Sequence, residues 1–154
     1  QYVAPYTDMS DDKGTSFLIL HNDLKFGPDS LTDYYHLSWK MTYPGTGAQY
    51  KEIAKTSKKV KEATNSKNYH TIYQVVSGHD PDTWLWEYPI NSMEELSMST
   101  GGSGSSDLEE VLGKEAAKEF WGLYKNTVRS RMREIQKLRP DMSTPADTSQ
   151  TNNN

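Results

Sequence analysis

Residues 34–77 pass from a two-residue hydrophobic period, through a turn, into a 3.6-residue period and back again without a break, and no other stretch constrains the fold as tightly. The first part sets Tyr35, Leu37, Trp39, Met41 and Tyr43 on one side and His36, Ser38, Lys40 and Thr42 on the other, which is the alternation of a half-buried strand. Pro44-Gly45-Thr46-Gly47 then supplies a fixed φ and two permissive glycines, so the strand ends in a turn. Tyr50, Ile53, Ala54, Ser57, Val60 and Thr64 recur at steps of three and four, while Lys51, Glu52, Lys55, Lys58, Lys59, Lys61 and Glu62 fill the outer arc of a surface helix. With Glu52 among the lysines and no aromatic side chain to stack a base, that arc reads as a solvated face. Asn65-Ser66-Lys67-Asn68 ends the helix, and a second alternating strand, Tyr69 to Val76, closes on Ser77-Gly78.

The flanking sequence extends this unit in both directions. Residues 1–15 lack a period and carry Asp8, Asp11, Asp12 and Lys13, so they read as a flexible arm, whereas Phe17 to Phe26 reads as an extra strand before the Gly27-Pro28 turn. His79-Asp80-Pro81-Asp82 joins the second strand to Thr83-Trp84-Leu85-Trp86-Glu87-Tyr88, a hairpin signal that makes the two strands antiparallel neighbours. His79, Asp80 and Asp82 are metal-competent residue types, but Asp and Pro are also what a turn requires, and the turn is the favoured reading. Ser92-Met93-Glu94-Glu95-Leu96 carries a capping-box pattern. Thr100 to Ser106 has linker composition, and Asp107 caps a helix interrupted at Gly113 and resumed with Ala116, Phe120, Leu123 and Tyr124 on one face. Val128 to Leu138 fits a strand or a helix, and Pro140 closes it.

A chain of 154 residues suits one domain, here residues 16–143 between the arm and a disordered tail at 144–154. Only 34% of residues are apolar, yet ten Tyr, four Trp and three Phe supply packing area. A net charge of −4 argues against nucleic acid or anionic lipid as partner, and no run approaches a membrane span. The chain begins at Gln1 and has polar ends, from which export to a periplasmic or secreted location after signal-peptide removal is expected, with the cytoplasm as the alternative. The absence of Cys is neutral on compartment.

With the ambiguous last element as a strand, the order is βαββαβ, an α+β ferredoxin-like antiparallel sheet with two helices on one face and an extra N-terminal strand. Thr42-Tyr43-Pro44-Gly45 before a helix, Tyr73-Gln74-Val75-Val76-Ser77-Gly78 before a Trp-rich strand, Ser92-Met93-Glu94-Glu95-Leu96, and Leu138-Arg139-Pro140-Asp141-Met142-Ser143 occur in that order. Together they resemble the dimeric α+β barrel superfamily, with its NIPSNAP-like, antibiotic-biosynthesis-monooxygenase-like and uncharacterised exported bacterial members, over residues 34–143. The resemblance favours a strand at Val128 to Leu138. It implies a homodimer with facing sheets and a pocket between sheet and helices, in which some members bind haem or oxidise an aromatic substrate without a cofactor. It carries no universal catalytic residue.

Three functions from different classes fit these residues. The first is a small-molecule-binding protein holding an apolar or aromatic ligand, with His36, Lys40, Tyr73, Trp84 and Trp86 as pocket candidates. The second is a cofactor-independent or haem-using monooxygenase in which His36 or His70 is base or ligand. The third is a structural dimer without ligand. His21, His36, His70 and His79 show no metal-binding spacing, and no nucleophile elbow, Walker loop or dinucleotide fingerprint occurs. The strand alternation is expected to turn Trp39 toward the helices and His36 toward the cavity.

Overall fold

The computed structural model describes residues 5–7, 15–28, 32–78, 80, 82–92, 94–96 and 104–138. The elements are β1 (Pro5–Thr7), β2 (Thr15–Leu20), β3 (Tyr34–Thr42), α1 (Gly47–Ala63), β4 (Thr71–Ser77), β5 (Thr83–Ile90), α2 (Gly104–Leu112), α3 (Lys114–Thr127) and β6 (Val128–Lys137). A single antiparallel sheet has the spatial order β1-β2-β4-β5-β3-β6, so the protein is α+β and β3 lies inside the sheet. The residues of the ambiguous last segment form β6, which follows α3 directly: the Val128 backbone turns to φ −92, ψ 115. Residues 5–7, which read as arm, pair with β2 in antiparallel register. β2 itself ends at Leu20, short of Phe26, which forms an isolated bridge to His70. The glycine-rich stretch lies largely outside the described residues, as does the tail at 144–154.

Local signals account for the terminations. Helix α1 stops where Asn65 adopts φ 50 and the Ser66 N–H donates to the Lys61 carbonyl at 3.0 Å, closing the last turn. The capping pattern after β5 forms in a shifted version: Ser92 Oγ accepts from the Glu95 N–H at 3.2 Å, while the Glu95 carboxylate accepts from the Asn91 N–H at 2.7 Å. Among the described residues no helix is long and apolar enough to cross a membrane.

Two apolar clusters lie on opposite faces of the sheet. One unites Tyr50, Ile53, Ala54 and Val60 of α1 with Ile72, Trp84 and Trp86 of the sheet and with Leu108, Ala117 and Phe120 of α2 and α3. The other unites Leu18, Leu37, Trp39, Val75 and Leu85, with Tyr35, Met41 and Tyr73 against them. The α1 stripe is therefore the one its period indicates, but it covers β5 rather than the apolar side of β3. Trp39 lies on the face away from the helices, and its indole N–H donates to Glu134 at 2.9 Å. His36, Ser38 and Lys40 share the helix side with their β5 partners Tyr88, Trp86 and Trp84. This reverses the expected orientation. All five residues from His36 to Lys40 are buried, so polar-versus-apolar contrast no longer distinguishes an inner from an outer side. The motive for a face-to-face dimer weakens as well, because Leu37, Trp39, Val75 and Leu85 are 0–6% exposed within one chain.

Gly27 sets the entry into β3. It adopts φ +100, and a Cβ added there would lie 2.2 Å from the Tyr69 ring. Gly27→Ala combines an unfavourable backbone region with a steric collision, and it is expected to cost about 2 kcal/mol or more, read as a lower urea midpoint than that of the parent protein.

Candidate functional site

The site is built on the helix-facing side of β3. Antiparallel pairing aligns His36 with Tyr88, Ser38 with Trp86 and Lys40 with Trp84 on one flank, and with Ile135, Arg133 and Arg131 of β6 on the other. Directly opposite residues share a face, so imidazole, amine, aromatic rings and two guanidinium groups converge on one side of the sheet.

His36 is 5% exposed and stacks on Tyr88, with ring centroids 5.4 Å apart and planes inclined by 23°. Neither of its ring nitrogens has a hydrogen-bond partner among the described residues. A buried polar atom left unpaired costs about 1–3 kcal/mol, so such atoms are rare and point to a missing partner. Burial, followed by the charges of Arg133, Arg131 and Lys40, lowers the imidazole pKa and keeps the ring neutral.

Lys40 is 7% exposed, and its Nζ lies 3.6 Å from the Trp86 ring centroid. It makes no hydrogen bond or ion pair among the described residues. Burial, with Lys61, Arg131 and Arg133 adding like-charge repulsion, holds the amine well below its ordinary pKa. Trp86 is locked from the other side by a buried bond from its indole N–H to the Tyr50 hydroxyl at 2.6 Å. Arg131 and Arg133 are exposed and make no ion pair among the described residues. A buried pair of nitrogen bases thus borders a cationic, solvent-facing margin.

A second polar group adjoins this one and is self-satisfied. Lys61 Nζ donates to the Asn68 carbonyl at 2.7 Å and to His70 Nδ1 at 2.9 Å, and His70 Nε2 pairs with the Leu24 carbonyl at 3.2 Å. These bonds make His70 the neutral Nε2–H tautomer. Burial, with Lys61 next, drives its pKa to about 2, and burial lowers that of Lys61 to about 7. Sequence reasoning placed Lys61 on the solvated arc. It stands eleven positions after Tyr50 (61 − 50), about three turns of a 3.6-residue helix, and that spacing returns it to the buried side.

Of the five pocket candidates, His36, Lys40, Trp84 and Trp86 lie together under the helices. Tyr73 does not: it pairs with Leu85 and packs on the opposite face. His21 faces Trp84 at 5.1 Å between ring centroids and contacts the Gln74 amide oxygen at 3.3 Å. His79 lies outside the described residues, and Asp80 is engaged by the Asp82 N–H at 3.1 Å and by Arg129, as its turn role requires. Tyr88, Arg131 and Arg133 were not singled out, because only the strand register brings them beside His36 and Lys40.

No protein-family model matches the chain, and comparison with curated proteins gives no significant match.

The groups that shift His36, Lys40, Lys61 and His70 downward are burial and other cations, with no carboxylate among them. The unfolded chain binds protons near pH 6.5 at His and near 10.4 at Lys, whereas the folded chain binds them only lower. Folding therefore releases protons, and stability rises with pH through each window, from about 2 to 6.5 for His70 and from about 7 to 10.4 for Lys61. Tyr50 and Tyr88, shifted upward by burial, oppose this only above the ordinary tyrosine range, and Glu87 only just above the ordinary carboxylate range. Urea midpoints are expected to increase from about pH 5 to about pH 9, with a slope up to ~1.4 kcal/mol per unit for each group within its window. A maximum near neutrality would contradict the buried-cation assignment.

The second expectation concerns His36 itself. Replacing an unpartnered imidazole by a ring of similar shape removes a desolvation cost without opening a cavity. His36→Phe is expected to leave stability unchanged or raise it by about 1 kcal/mol in thermal and urea unfolding.

Proposed function

We propose that this chain is a small-molecule-binding protein of the dimeric α+β barrel type, whose ligand has an aromatic or apolar body and one anionic group, and docks beside His36 and Lys40 on the helix side of the sheet. The observation that carries the reading is the pair of buried His36 nitrogens without a partner. The surroundings favour an anion: burial beside Arg131 and Arg133 lowers the Lys40 pKa, and a bound carboxylate would favour its protonated form and accept from the His36 N–H. Trp86 and Tyr88 supply stacking surface.

The topology supports a ferredoxin-like arrangement. β3 and β4 flank β5, α1 links β3 to β4, and the α2–α3 pair links β5 to β6, which is the split βαβ pattern with β1 and β2 added beyond β4. The side of β3 that carries His36 faces the helices, where this type of fold would hold its pocket.

A monooxygenase is the second reading, and the hydrogen bonds narrow it. His70 has both ring nitrogens engaged and serves neither as base nor as haem ligand, so that reading rests on His36 alone. A Soret band in a haem titration of the parent protein that is lost in His36→Phe would favour it.

Calorimetric titration with benzoate and its neutral isostere benzamide tests the binding reading. Benzoate is expected to bind with a dissociation constant of roughly 0.1–1 mM, benzamide at least about tenfold more weakly, and Lys40→Met and His36→Phe to weaken benzoate by a similar factor. Equal affinity for the two probes, or no effect of either substitution, would leave the chain a structural protein at this face.

A further inference from the structure

The opposite face of the sheet carries a separate cavity. It has a volume of about 420 Å³, within the range of small-molecule sites, and lies where the ends of β2, β3, β4 and β5 meet the 25–28 loop. Four aromatic rings line it, those of Phe26, Tyr35, Tyr69 and Tyr73, and Glu87 is its acidic group.

The walls are held in place by the fold. Phe26 and Tyr69 pack with ring centroids 5.6 Å apart, and Tyr69 closes against Gly27 where no other residue would leave it room. The Tyr35 hydroxyl accepts from the Thr32 N–H at 3.3 Å, and Tyr73 sits across from Leu85 on β5. Glu87 projects from β5 between Leu37 and Thr71. Its carboxyl makes no hydrogen bond or ion pair among the described residues.

A carboxylate in that position lacks the counter-charge that partly buried acids ordinarily have. Lys25 and His70 also line the cavity, yet neither forms an ion pair with Glu87, whose pKa burial raises. The negative faces of aromatic rings attract cations and do nothing for anions. Ring faces and a desolvated carboxylate therefore complement the same class of ligand.

We propose that this cavity binds a small organic cation, an amine or quaternary ammonium with a compact apolar body, with Glu87 as counter-charge and Phe26, Tyr35, Tyr69 and Tyr73 as walls. The two faces of one sheet then serve ligands of opposite sign, anionic under the helices and cationic on the far side.

Calorimetric titration of the full chain with phenethylammonium, and with 2-phenylethanol as its uncharged counterpart, tests this. Phenethylammonium is expected to bind the parent protein, 2-phenylethanol to bind at least about tenfold more weakly, and Glu87→Gln to cost phenethylammonium at least about tenfold. Glu87→Gln should leave benzoate binding unchanged, and the His36→Phe/Lys40→Met double variant should leave phenethylammonium binding unchanged. Should Glu87→Gln fold poorly, the parent protein alone decides: cation binding lowers the Glu87 pKa, so titrations at weakly acidic pH in buffers of different ionisation enthalpy must show proton release. Equal binding of the charged and uncharged probes, full retention of binding in Glu87→Gln, absence of proton release, or no binding up to roughly 20 mM would each overturn the proposal.

Discussion

The fold turns on the Trp86 indole. Its N–H is donated to Tyr50 on α1 inside the helix-side cluster, its ring face carries the Lys40 amine from β3, and its ring lies 4.6 Å between centroids from that of His70, which closes the start of β4 through Phe26. One side chain therefore joins a helix, two neighbouring strands and the loop that precedes β3. A buried indole N–H without an acceptor would be costly, and Tyr50 on α1 supplies that acceptor within the cluster that holds the helix on the sheet.

Around this anchor the charges segregate by face. Lys40, His36 and His70 are buried and Lys61 is half-buried on the helix side with Arg131 and Arg133 at its margin, while Glu87 and Glu134 lie on the other side among Leu37, Trp39 and Tyr73. Opposite charges separated by a sheet do not neutralise one another at hydrogen-bond distance, so each face keeps its own electrostatic demand. Lys61 and His70 meet that demand internally. His36 and Lys40 do not, and they carry the functional reading for that reason, whereas the deeper burial of His70 marks only a satisfied core group.

Edge position shapes how these groups reach solvent. β6 is the last strand of the sheet, and its residues opposite His36, Ser38 and Lys40 are Ile135, Arg133 and Arg131, all exposed. Alternating arginines along an outer strand discourage pairing with another chain and at the same time set a positive margin beside the buried bases. The direct passage of α3 into β6 at Val128 places that margin next to Tyr124, whose phenol is close enough to push the Tyr50 and Tyr88 pKa values up further.

Local order was legible in the residues. The periods of β3, α1 and β4, the Pro44 turn, the stop at Asn65 and the β4–β5 hairpin depend on contacts within a few positions, and each lies where its pattern indicates. Which face of β3 meets the helices was not legible, because alternation specifies two sides without naming them, and apolarity misleads on a strand buried on both. The β5 register decided it by aligning Trp84, Trp86 and Tyr88 with Lys40, Ser38 and His36. The same register moved Tyr73 away from the other pocket candidates, brought in Tyr88, Arg131 and Arg133, and left Glu87 facing a cavity. A side chain's chemistry is written in the sequence, but its partners come from segments distant along the chain, and only pairing in three dimensions determines which groups are satisfied and which are left to bind something else.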